Sequence, residues 1–261
     1  MKKFVALLLA VLMVASLCAC GQKGTGSDLQ TVTKGKLIMS TNAEFAPYEY
    51  VADDGKGFQG TGYEGIDIEI AYALAQKLGL ELVVDNMDFD AALSAVQTGK
   101  SDMVAAGVTV TPDRLNAMSF TDSYANGVQV VIVKEGSDIK SIDDLEGKKI
   151  GTQRGTTGFL YCSDDFGDDN VIGFDDGATA VQNLKAGKVD CVVIDNAPAQ
   201  EYVKANAGLT ILDTEYANED YAIGVAKGNT ALVDAVNGAL AELTADGTIQ
   251  SIIEKYIPAE G

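Results

Sequence analysis

Residues 95–107 read AVQTGKSDMVAAG, and residues 182–195 read QNLKAGKVDCVVID. Both stretches place Gly-Lys-x-Asp between an amphipathic helical pattern and an apolar strand pattern, and their glycines, Gly99 and Gly187, lie 88 residues apart. Glycine commonly follows the end of a helix because it adopts the left-handed backbone conformation at little cost. The repeated helix end and strand start therefore predict two lobes of similar build.

Strand and helix patterns alternate through each half of the chain. The first half contains KLIMST (36–41), DIEIAYALAQKL (67–78), ELVVD (81–85), FDAALSAVQTG (89–99) and SDMVAAG (101–107). The second half contains KKIGTQ (148–153), TTGFLYCSDD (156–165), VIGFD (171–175), DGATAVQNLKAG (176–187) and VDCVVID (189–195). Such alternation predicts the α/β class with mostly parallel sheets.

Two extended stretches connect the predicted lobes without a Pro-rich or Ser-rich linker. SYANGVQVVIVKEG (123–136) carries the chain into the second lobe, EDYAIGVAKG (219–228) is the second extended segment, and two helical patterns then return to the first lobe. The predicted division is a signal peptide over 1–19, a flexible tether over 20–35, the first lobe over 36–125 and 222–261, and the second lobe over 126–221.

The N-terminus has the pattern of an export signal. A basic start, MKK, is followed by the 13-residue apolar run FVALLLAVLMVAS, which is well short of the ~20 residues that a membrane-spanning helix needs. The next residues, LCACG, resemble a bacterial lipoprotein box, in which cleavage leaves Cys20 first and a diacylglycerol is attached to its sulfur. We therefore predict an extracytoplasmic protein that is lipid-anchored to the cell membrane, with plain secretion as the alternative.

The composition excludes several classes of function. Cleavage before Cys20 removes Lys2 and Lys3 and leaves 17 basic against 38 acidic residues, a net charge of −21. Nucleic acid is therefore not an expected partner, because phosphate contacts need a basic surface. The chain has no histidine, which removes Ser–His and Cys–His catalysis and the common zinc sites. We predict no cofactor, no metal and no enzyme activity.

Residues 60–65, GTGYEG, fit the G-x-G-x-x-G pattern of dinucleotide-binding turns, and Asp85 lies 20 residues beyond Gly65. A phosphate-binding turn has to follow a buried strand. The residues before Gly60, ADDGKGFQ, are polar and rich in turn formers instead. We interpret Gly55, Gly57, Gly60 and Gly62 as hairpin or loop residues.

Cys162 and Cys191 remain after the cysteines of the lipoprotein box. An exported protein can join such a pair in a disulfide. Two buried thiols are the favoured interpretation, because cysteine packs as a small apolar side chain.

Arginine is rare in this chain, since only Arg114 and Arg154 occur among the 19 basic residues. A guanidinium recognises a carboxylate through two parallel hydrogen bonds, which an ammonium cannot form. Arg114 follows the strand pattern DMVAA, in a short helix that Thr111 caps, and Arg154 follows the strand pattern KKIGT. Both lie near carboxyl ends of strands, where open α/β sheets bind ligands. A surface salt bridge is the alternative for each.

Further groups that suit an amino acid come from the same strand ends. Thr156 and Thr157 open a helix and offer hydroxyl and backbone N–H groups to a carboxylate. Asp195 ends the strand pattern CVVID and can pair with an ammonium. Phe45 and Phe89 can cover an apolar part of a ligand, although core packing is the alternative for Phe89. Together these groups predict a site for a free α-amino acid.

The segment GIDIEI (65–70), with the apolar residues of the helix that follows, resembles the signature of bacterial solute-binding proteins of family 3, the polar amino acid receptors of ABC importers. TNAEFAPYEY (41–50), residues 87–114 and GKKIGTQRGTTG (147–158) match this family in order and spacing. The resemblance implies a type II periplasmic-binding-protein fold, in which two α/β lobes joined by two crossing segments close on the ligand. It also implies a monomer that delivers a free amino acid to a membrane permease.

The resemblance also assigns roles to individual residues. Arg114 matches the position that binds the α-carboxylate, and Asp195 matches the one that binds the α-ammonium. Gly107 and Thr109 contribute to both contacts, and Thr157 contributes to the first. The complete expected ligand site is Asn42, Phe45, Phe89, Gly107, Thr109, Arg114, Gln153, Thr156, Thr157 and Asp195.

The ligand class depends on positions at which the family varies. Asn42 and Gln153 favour a neutral polar side chain, since relatives that bind lysine, arginine, histidine or glutamine carry Asp at the position of Asn42. An inward-pointing Arg154 would disfavour a cation further. A basic amino acid is the alternative, with Glu44 or Glu49 as its partner. The rival functions are a dehydratase-like enzyme that uses one of these glutamates as acid or base, and a sensor module for a signalling partner.

Overall fold

A computed structural model describes residues 29–258, so the predicted signal peptide, Cys20 and most of the tether lie outside the described residues. The first lobe contains β1 (Lys36–Thr41), β2 (Glu44–Phe45), β3 (Glu49–Val51), β4 (Tyr63–Glu64), α1 (Ile66–Leu78), β5 (Glu81–Asn86), α2 (Phe89–Gln97), β6 (Met103–Val104) and α3 (Pro112–Ala117). The long strand β7 (Met118–Lys134) leads to the second lobe, which contains β8 (Ile150–Gln153), α4 (Thr157–Phe166), β9 (Val171–Phe174), α5 (Gly177–Lys185), β10 (Cys191–Asp195), α6 (Asn196–Ala205) and β11 (Leu209–Ile211). The chain returns through β12 (Ala217–Ala226) to α7 (Thr230–Ala245) and α8 (Thr248–Tyr256). None of the helices in this range combines the length and the apolar character that a membrane span requires.

One sheet runs through both lobes, with its strands in the order β5-β1-β6-β12-β7-β10-β8-β9 and with β11 added to β7. Strands β5, β1 and β6 are parallel, as are β9, β8 and β10. Strands β7 and β12 run antiparallel to each other and to their neighbours, and each passes from one lobe to the other. These are the two crossing segments that the sequence predicts. The exact lobe boundaries, which fall inside these strands, remain a prediction.

Helices cover both faces of the sheet in each lobe. In the first lobe α1, α7 and α8 enclose one core, which includes Leu37 and Ile68, and α2 encloses another, which includes Val96 and Val104. In the second lobe α5 and α6 cover one face and α4 covers the other. Parallel strands that are buried on both faces read as continuous apolar runs, and this is why the sequence pattern identifies most of them.

The glycines of residues 60–65 belong to a hairpin and to the start of a helix. Gly60 and Gly62 lie in the connection between β3 and β4, which pair in antiparallel fashion. Gly65 precedes α1 with a φ of 125°, and a Cβ at this position would lie 2.2 Å from the Tyr48 carbonyl oxygen. The interpretation as loop and hairpin glycines is confirmed, and close backbone packing accounts for Gly65.

Two segments differ from their sequence patterns. Helix α6 begins directly after Asp195, whose carboxylate accepts a hydrogen bond from the Ala197 N–H and caps the helix. The pattern does not reveal this helix because its sequence, NAPAQEYVKA, buries only a short part of one face. SDMVAAG (101–107) forms strand only over Met103–Val104, and the chain then turns at Gly107, which has a φ of 53°.

Cys162 and Cys191 are free and buried in the core beneath α4. The interpretation as buried thiols is therefore confirmed. Burial raises the pKa of the Cys162 thiol to about 12, with the nearby Tyr216 hydroxyl lowering it. This thiol consequently stays protonated at neutral pH.

Candidate functional site

A cavity lies between the lobes, at the carboxyl ends of β1, β6, β8 and β10. All ten residues of the expected ligand site line this one cavity. Six further residues complete its lining: Glu49, Ala106, Gln129, Val193, Ile194 and Tyr221. Of these six, the sequence had suggested only Glu49, as one of two partners for a cationic ligand. Two of the others, Ala106 and Ile194, directly precede the expected residues Gly107 and Asp195 in the chain, and this adjacency could have identified them.

Arg114 points inward from the short helix α3. The Thr111 hydroxyl caps this helix by accepting a hydrogen bond from the Arg114 N–H at 3.2 Å. The guanidinium donates to the Thr109 carbonyl at 2.9 Å and, across the cleft, to the Gly155 carbonyl at 3.2 Å. It lies 5.4 Å from the centre of the Phe89 ring. Because Arg114 is only 9% exposed, it is not a surface ion pair, and its positive charge faces the cavity.

Arg154 points away from the cavity. Its guanidinium forms an ion pair with Asp175 and donates to the Gly173 carbonyl at 3.0 Å. The side chain is 55% exposed. The surface alternative is therefore correct for Arg154, and the expectation that an inward Arg154 would disfavour a cation does not apply.

Asp195 is buried at the end of β10 and accepts three hydrogen bonds. The donors are the Tyr221 hydroxyl at 2.7 Å, the Val128 N–H at 2.9 Å and the Ala197 N–H at 3.1 Å. Burial raises the pKa of Asp195 to about 6, and these hydrogen bonds oppose the rise. At neutral pH the carboxylate is therefore charged and held in a fixed orientation.

Helix α4 begins at the cavity. The Thr156 hydroxyl caps it by accepting from the Phe159 N–H at 3.3 Å and donates to the Gln153 carbonyl at 2.8 Å. The Thr157 hydroxyl oxygen lies 3.5 Å from that of Thr109 on the other lobe. Hydroxyl groups together with the partial positive charge of a helix N-terminus suit a carboxylate.

Two aromatic rings contribute an apolar surface. Phe45 stacks on Tyr48, with ring centroids 5.6 Å apart and an interplanar angle of 22°. Phe89 opens α2, lies under the Arg114 guanidinium and is 7% exposed. Phe89 also belongs to the core beneath α2, so it both packs in the core and lines the cavity.

Polar contacts across the cleft join the two lobes. Gln153 donates to Asn42 Oδ1 at 2.8 Å, and Asn42 donates in turn to the Met87 carbonyl at 3.0 Å. At the mouth of the cleft, the Tyr202 hydroxyl donates to the Glu44 carbonyl at 3.3 Å. Together with the guanidinium and threonine contacts described above, these bonds define a closed cleft.

The two glutamates that could pair with a cationic ligand differ in placement. Glu44 is exposed at the mouth of the cleft. Glu49 is 1% exposed and lines the cavity. Neither of its oxygens accepts a hydrogen bond from an N–H or hydroxyl group within residues 29–258, and the charge of the Asp67 carboxyl acts on it. Burial, followed by the charge of Asp67, raises the pKa of Glu49 well above its usual value.

This fold and this cleft define a two-lobed solute receptor of the type II periplasmic-binding-protein class. The chain belongs to the bacterial extracellular solute-binding proteins, family 3, whose sequence profile matches residues 37–259.

Named relatives agree with this assignment. The arginine-binding extracellular protein ArtP of Bacillus subtilis is 33% identical over 270 residues, which covers 100% of both chains. The structure of an ancestral arginine-binding protein bound to arginine is 42% identical with a TM-score of 0.77, covering 85% of this chain and 98% of that one. The structure of an ancestral arginine-binding protein bound to glutamine is 40% identical with a TM-score of 0.79, covering 86% and 98%. The predicted family, the fold class and the prediction of an amino acid receptor are confirmed.

Proposed function

We propose that this chain binds an L-amino acid with a cationic side chain and presents it to the permease of an ABC importer. The observation that carries the choice of ligand class is the buried carboxyl group of Glu49, which lines the cavity. Among the described residues that line the cavity, only Arg114 carries a positive charge. The relatives named for arginine support the same choice.

The α-groups of the ligand fit two charged residues. The carboxylate lies against Arg114, whose guanidinium has donors left after its two hydrogen bonds to carbonyl groups. The ammonium pairs with Asp195. Gly107 contributes through its carbonyl, because its N–H already donates to Asp67 at 2.9 Å. These contacts select an α-amino acid whatever its side chain.

The side chain of the ligand extends between Phe45 and Phe89 toward Glu49. A carboxyl group that is buried without a cation is favoured in its protonated form, and a positive group beside it favours the carboxylate. Aromatic faces also attract cations. Arg154 lies outside the cavity, so it does not repel a positive side chain. A guanidinium or ammonium group therefore completes the charge balance of the cavity.

A neutral polar amino acid is the second candidate ligand. An ancestral arginine-binding protein, similar to this chain, is described as bound to glutamine. Asn42 and Gln153 also line the cavity and offer both donors and acceptors. Their mutual bond at 2.8 Å leaves fewer of these groups for a ligand, which favours the cationic candidate.

Calorimetric titration of the purified protein with arginine, lysine, histidine, glutamine, cystine and serine tests this choice. We expect arginine or lysine to bind at least about tenfold more tightly than the neutral amino acids. Glu49→Gln should remove most of that preference, whereas the exposed control Glu146→Gln should retain it. Tighter binding of glutamine or cystine would reject the cationic ligand and leave the receptor function intact.

We propose that closure of the two lobes around the amino acid precedes its delivery to the permease. Strands β7 and β12 form the hinge, and the bonds between Gln153 and Asn42 and between Arg114 and Gly155 can form only when the lobes approach. A ligand that touches both lobes shifts the population toward this closed form. Small-angle scattering should show a smaller radius of gyration on ligand addition, and an unchanged radius would contradict this role of closure.

We further infer that the receptor is a monomer held on the outer side of the membrane through a lipid on Cys20. The support is the LCACG pattern after a short apolar run. Cys20→Ala should release the protein from the membrane without changing its ligand affinity, whereas Cys18→Ala should leave it membrane-bound. Membrane retention of a Cys20→Ala chain that lacks residues 1–19 would contradict lipidation. Light scattering of the soluble variant measures the oligomeric state.

Binding is proposed to leave the ligand chemically unchanged. The chain has no histidine. With Asp195 assigned to the α-ammonium, Glu49 is the other acidic residue of the cavity lining that could act as an acid or base. Mass spectrometry of the ligand after prolonged incubation should recover it intact. A product that forms with wild type and not with Glu49→Gln would support the enzyme instead.

A further inference from the structure

We propose that Glu49 and Asp67 share a single proton beneath the cavity, and that this proton sets the charge class of the ligand. A cationic side chain displaces the proton to solvent, whereas a neutral side chain binds with the proton in place. This inference rests on the proposed amino acid site and adds the device that decides between its two candidate ligand classes.

The two carboxyl groups are neighbours and lie out of water. Glu49 begins β3 and Asp67 lies in the first turn of α1, and each is 1% exposed. The charge of the Asp67 carboxyl acts on that of Glu49, neither Glu49 oxygen has an N–H or hydroxyl partner among the described residues, and a hydrogen bond between two carboxyl groups requires a proton on one of them. Two neighbouring carboxylates in a buried site cannot both be charged without a cation. The pair therefore carries one negative charge when the cavity is empty.

The surrounding donors decide which group holds the proton. Asp67 accepts a hydrogen bond from the Gly107 N–H at 2.9 Å, and its two oxygens lie 2.7 and 2.8 Å from the Tyr124 hydroxyl. Glu49 accepts none from the described N–H and hydroxyl groups. The negative charge is therefore stabilised on Asp67, and Glu49 donates the shared proton to it. In agreement, burial raises the pKa of Asp67 to about 6 against these hydrogen bonds, while that of Glu49 is raised well above its usual value.

The other ionisable groups around the pair are aromatic or acidic. Tyr48 and Tyr124 are close enough to both carboxyl groups for their own pKa values to be raised by burial and by these charges. The charge of Asp195 also raises the pKa of Tyr48, after burial, and Asp195 accepts a hydrogen bond from the Tyr221 hydroxyl. No lysine or arginine of the described chain contributes to the pKa of either member of the pair. A positive charge beside Glu49 therefore has to come from the ligand.

Ligand charge and proton occupancy are consequently linked. When a guanidinium or ammonium approaches Glu49, the carboxylate form becomes favourable and the proton passes to the buffer. When a neutral amide or urea group approaches, the protonated carboxyl can donate to it and no proton leaves. Raising the pH thus raises the affinity for a cationic ligand relative to that for a neutral ligand with the same α-groups.

Arginine and citrulline provide a matched pair of probes, because they share their α-groups and differ at the guanidinium or urea end. Calorimetric titration of each, at about pH 7 in two buffers of different ionisation enthalpy, gives the number of protons released per ligand. We expect arginine to release about one proton more than citrulline. The subtraction removes any contribution of Asp195, which both ligands contact equally. The arginine-to-citrulline affinity ratio should rise by up to about tenfold per pH unit while the pair titrates.

Two conservative variants distinguish proton sharing between Glu49 and Asp67 from a purely structural role of these residues. In Asp67→Asn the amide oxygen can still accept from Gly107. Loss of the Asp67 charge lowers the pKa of Glu49, while burial continues to raise it. In Glu49→Gln no proton remains to be released. Glu49→Gln should abolish the extra proton release and Asp67→Asn should reduce it. Asp67→Asn should raise the preference for arginine over citrulline, whereas Glu49→Gln should lower it. General damage to the site would weaken both ligands alike, and the exposed control Asp168→Asn should behave as wild type.

The possible results separate the inference from the proposed function. If both ligands bind wild type with equal proton release, the inference is wrong and the receptor function stands. If citrulline binds too weakly to measure, proton release by arginine in wild type is compared with that in Asp67→Asn, and equal values overturn the inference. If neither ligand binds, the proposed ligand class and the inference both fail.

Discussion

The Gln153 amide of the second lobe donates to Asn42 Oδ1 of the first lobe at 2.8 Å, and both side chains are buried. The Asn42 amide also donates to the Met87 carbonyl at 3.0 Å. One residue therefore takes part both in closing the cleft and in lining the cavity. A change at Asn42 should alter the stability of the closed form and the choice of ligand together.

We expect Asn42→Asp to shift the preference toward cationic amino acids. The carboxylate can still accept from Gln153, but it faces the Met87 carbonyl without a donor, and a positive ligand relieves this repulsion. The arginine-to-glutamine affinity ratio should rise by about tenfold, as measured by competition titration. Asn86→Asp is the control, because Asn86 accepts from the Ala43 N–H at 2.8 Å without lining the cavity. An unchanged ratio in Asn42→Asp would show that the ligand does not reach this residue.

Gly65→Ala should strongly destabilise the first lobe. A Cβ at this position would lie 2.2 Å from the Tyr48 carbonyl oxygen, and the φ of 125° is unfavourable for alanine. We expect a loss on the order of 3 kcal/mol in the free energy of unfolding, measured in urea. Gly238→Ala is the matched control, because this glycine lies within α7 with open space around it. The control should gain up to ~1 kcal/mol from helix propensity, and equal effects of the two changes would contradict the packing at Gly65.

The buried aspartates predict an unusual dependence of stability on pH. Burial raises the pKa values of Asp67 and Asp195 from 3.8 to about 6. The folded protein therefore binds these protons more tightly than the unfolded chain, so the contribution of each group to stability falls as the pH rises from about 4 to about 6. The difference is on the order of 2 kcal/mol for each group. Urea unfolding at several pH values should show a smaller fall in Asp195→Asn than in wild type, and identical profiles would contradict the account.

Ligand affinity should change with pH in the opposite direction. As Asp195 takes up a proton below about pH 6 it loses its attraction for the α-ammonium of the ligand. Citrulline reports this effect separately, because its side chain is neutral. Its affinity should fall as the pH is lowered from about 7 to about 5. Constant citrulline affinity over this range would place the ammonium elsewhere.

The sequence predicted the ligand-binding residues best where a residue type that suits the ligand's charged groups lies at the carboxyl end of a strand. Arg114 follows β6, Asp195 ends β10, and Thr157 begins α4 after β8. The carboxyl ends of these strands meet at one cleft in an α/β sheet, so residue type and strand order together were enough to predict that these residues would be neighbours.

Side-chain direction depends on partners that are distant in the chain, which local patterns do not reveal. Arg154 also follows β8, yet it turns outward because Asp175 and the Gly173 carbonyl lie beside it at the end of β9. Glu49 turns inward and meets Asp67 of α1. Hydrophobic periodicity and residue spacing do not predict the direction of either side chain. Both directions determine how charge is distributed in the cavity.

We propose that Arg114 binds the α-carboxylate of an amino acid inside the closed cleft, and Arg154, the only other arginine of the sequence, supplies the control. Arg114→Ala should weaken arginine binding by ~3 kcal/mol or more, because a desolvated carboxylate loses its partner. Arg154→Ala, which removes a guanidinium that is 55% exposed as a side chain, should change the affinity by less than about twofold. Calorimetric titration of the two variants beside wild type is the most direct test. A loss of less than about threefold in Arg114→Ala, or equal losses in both variants, would contradict the account.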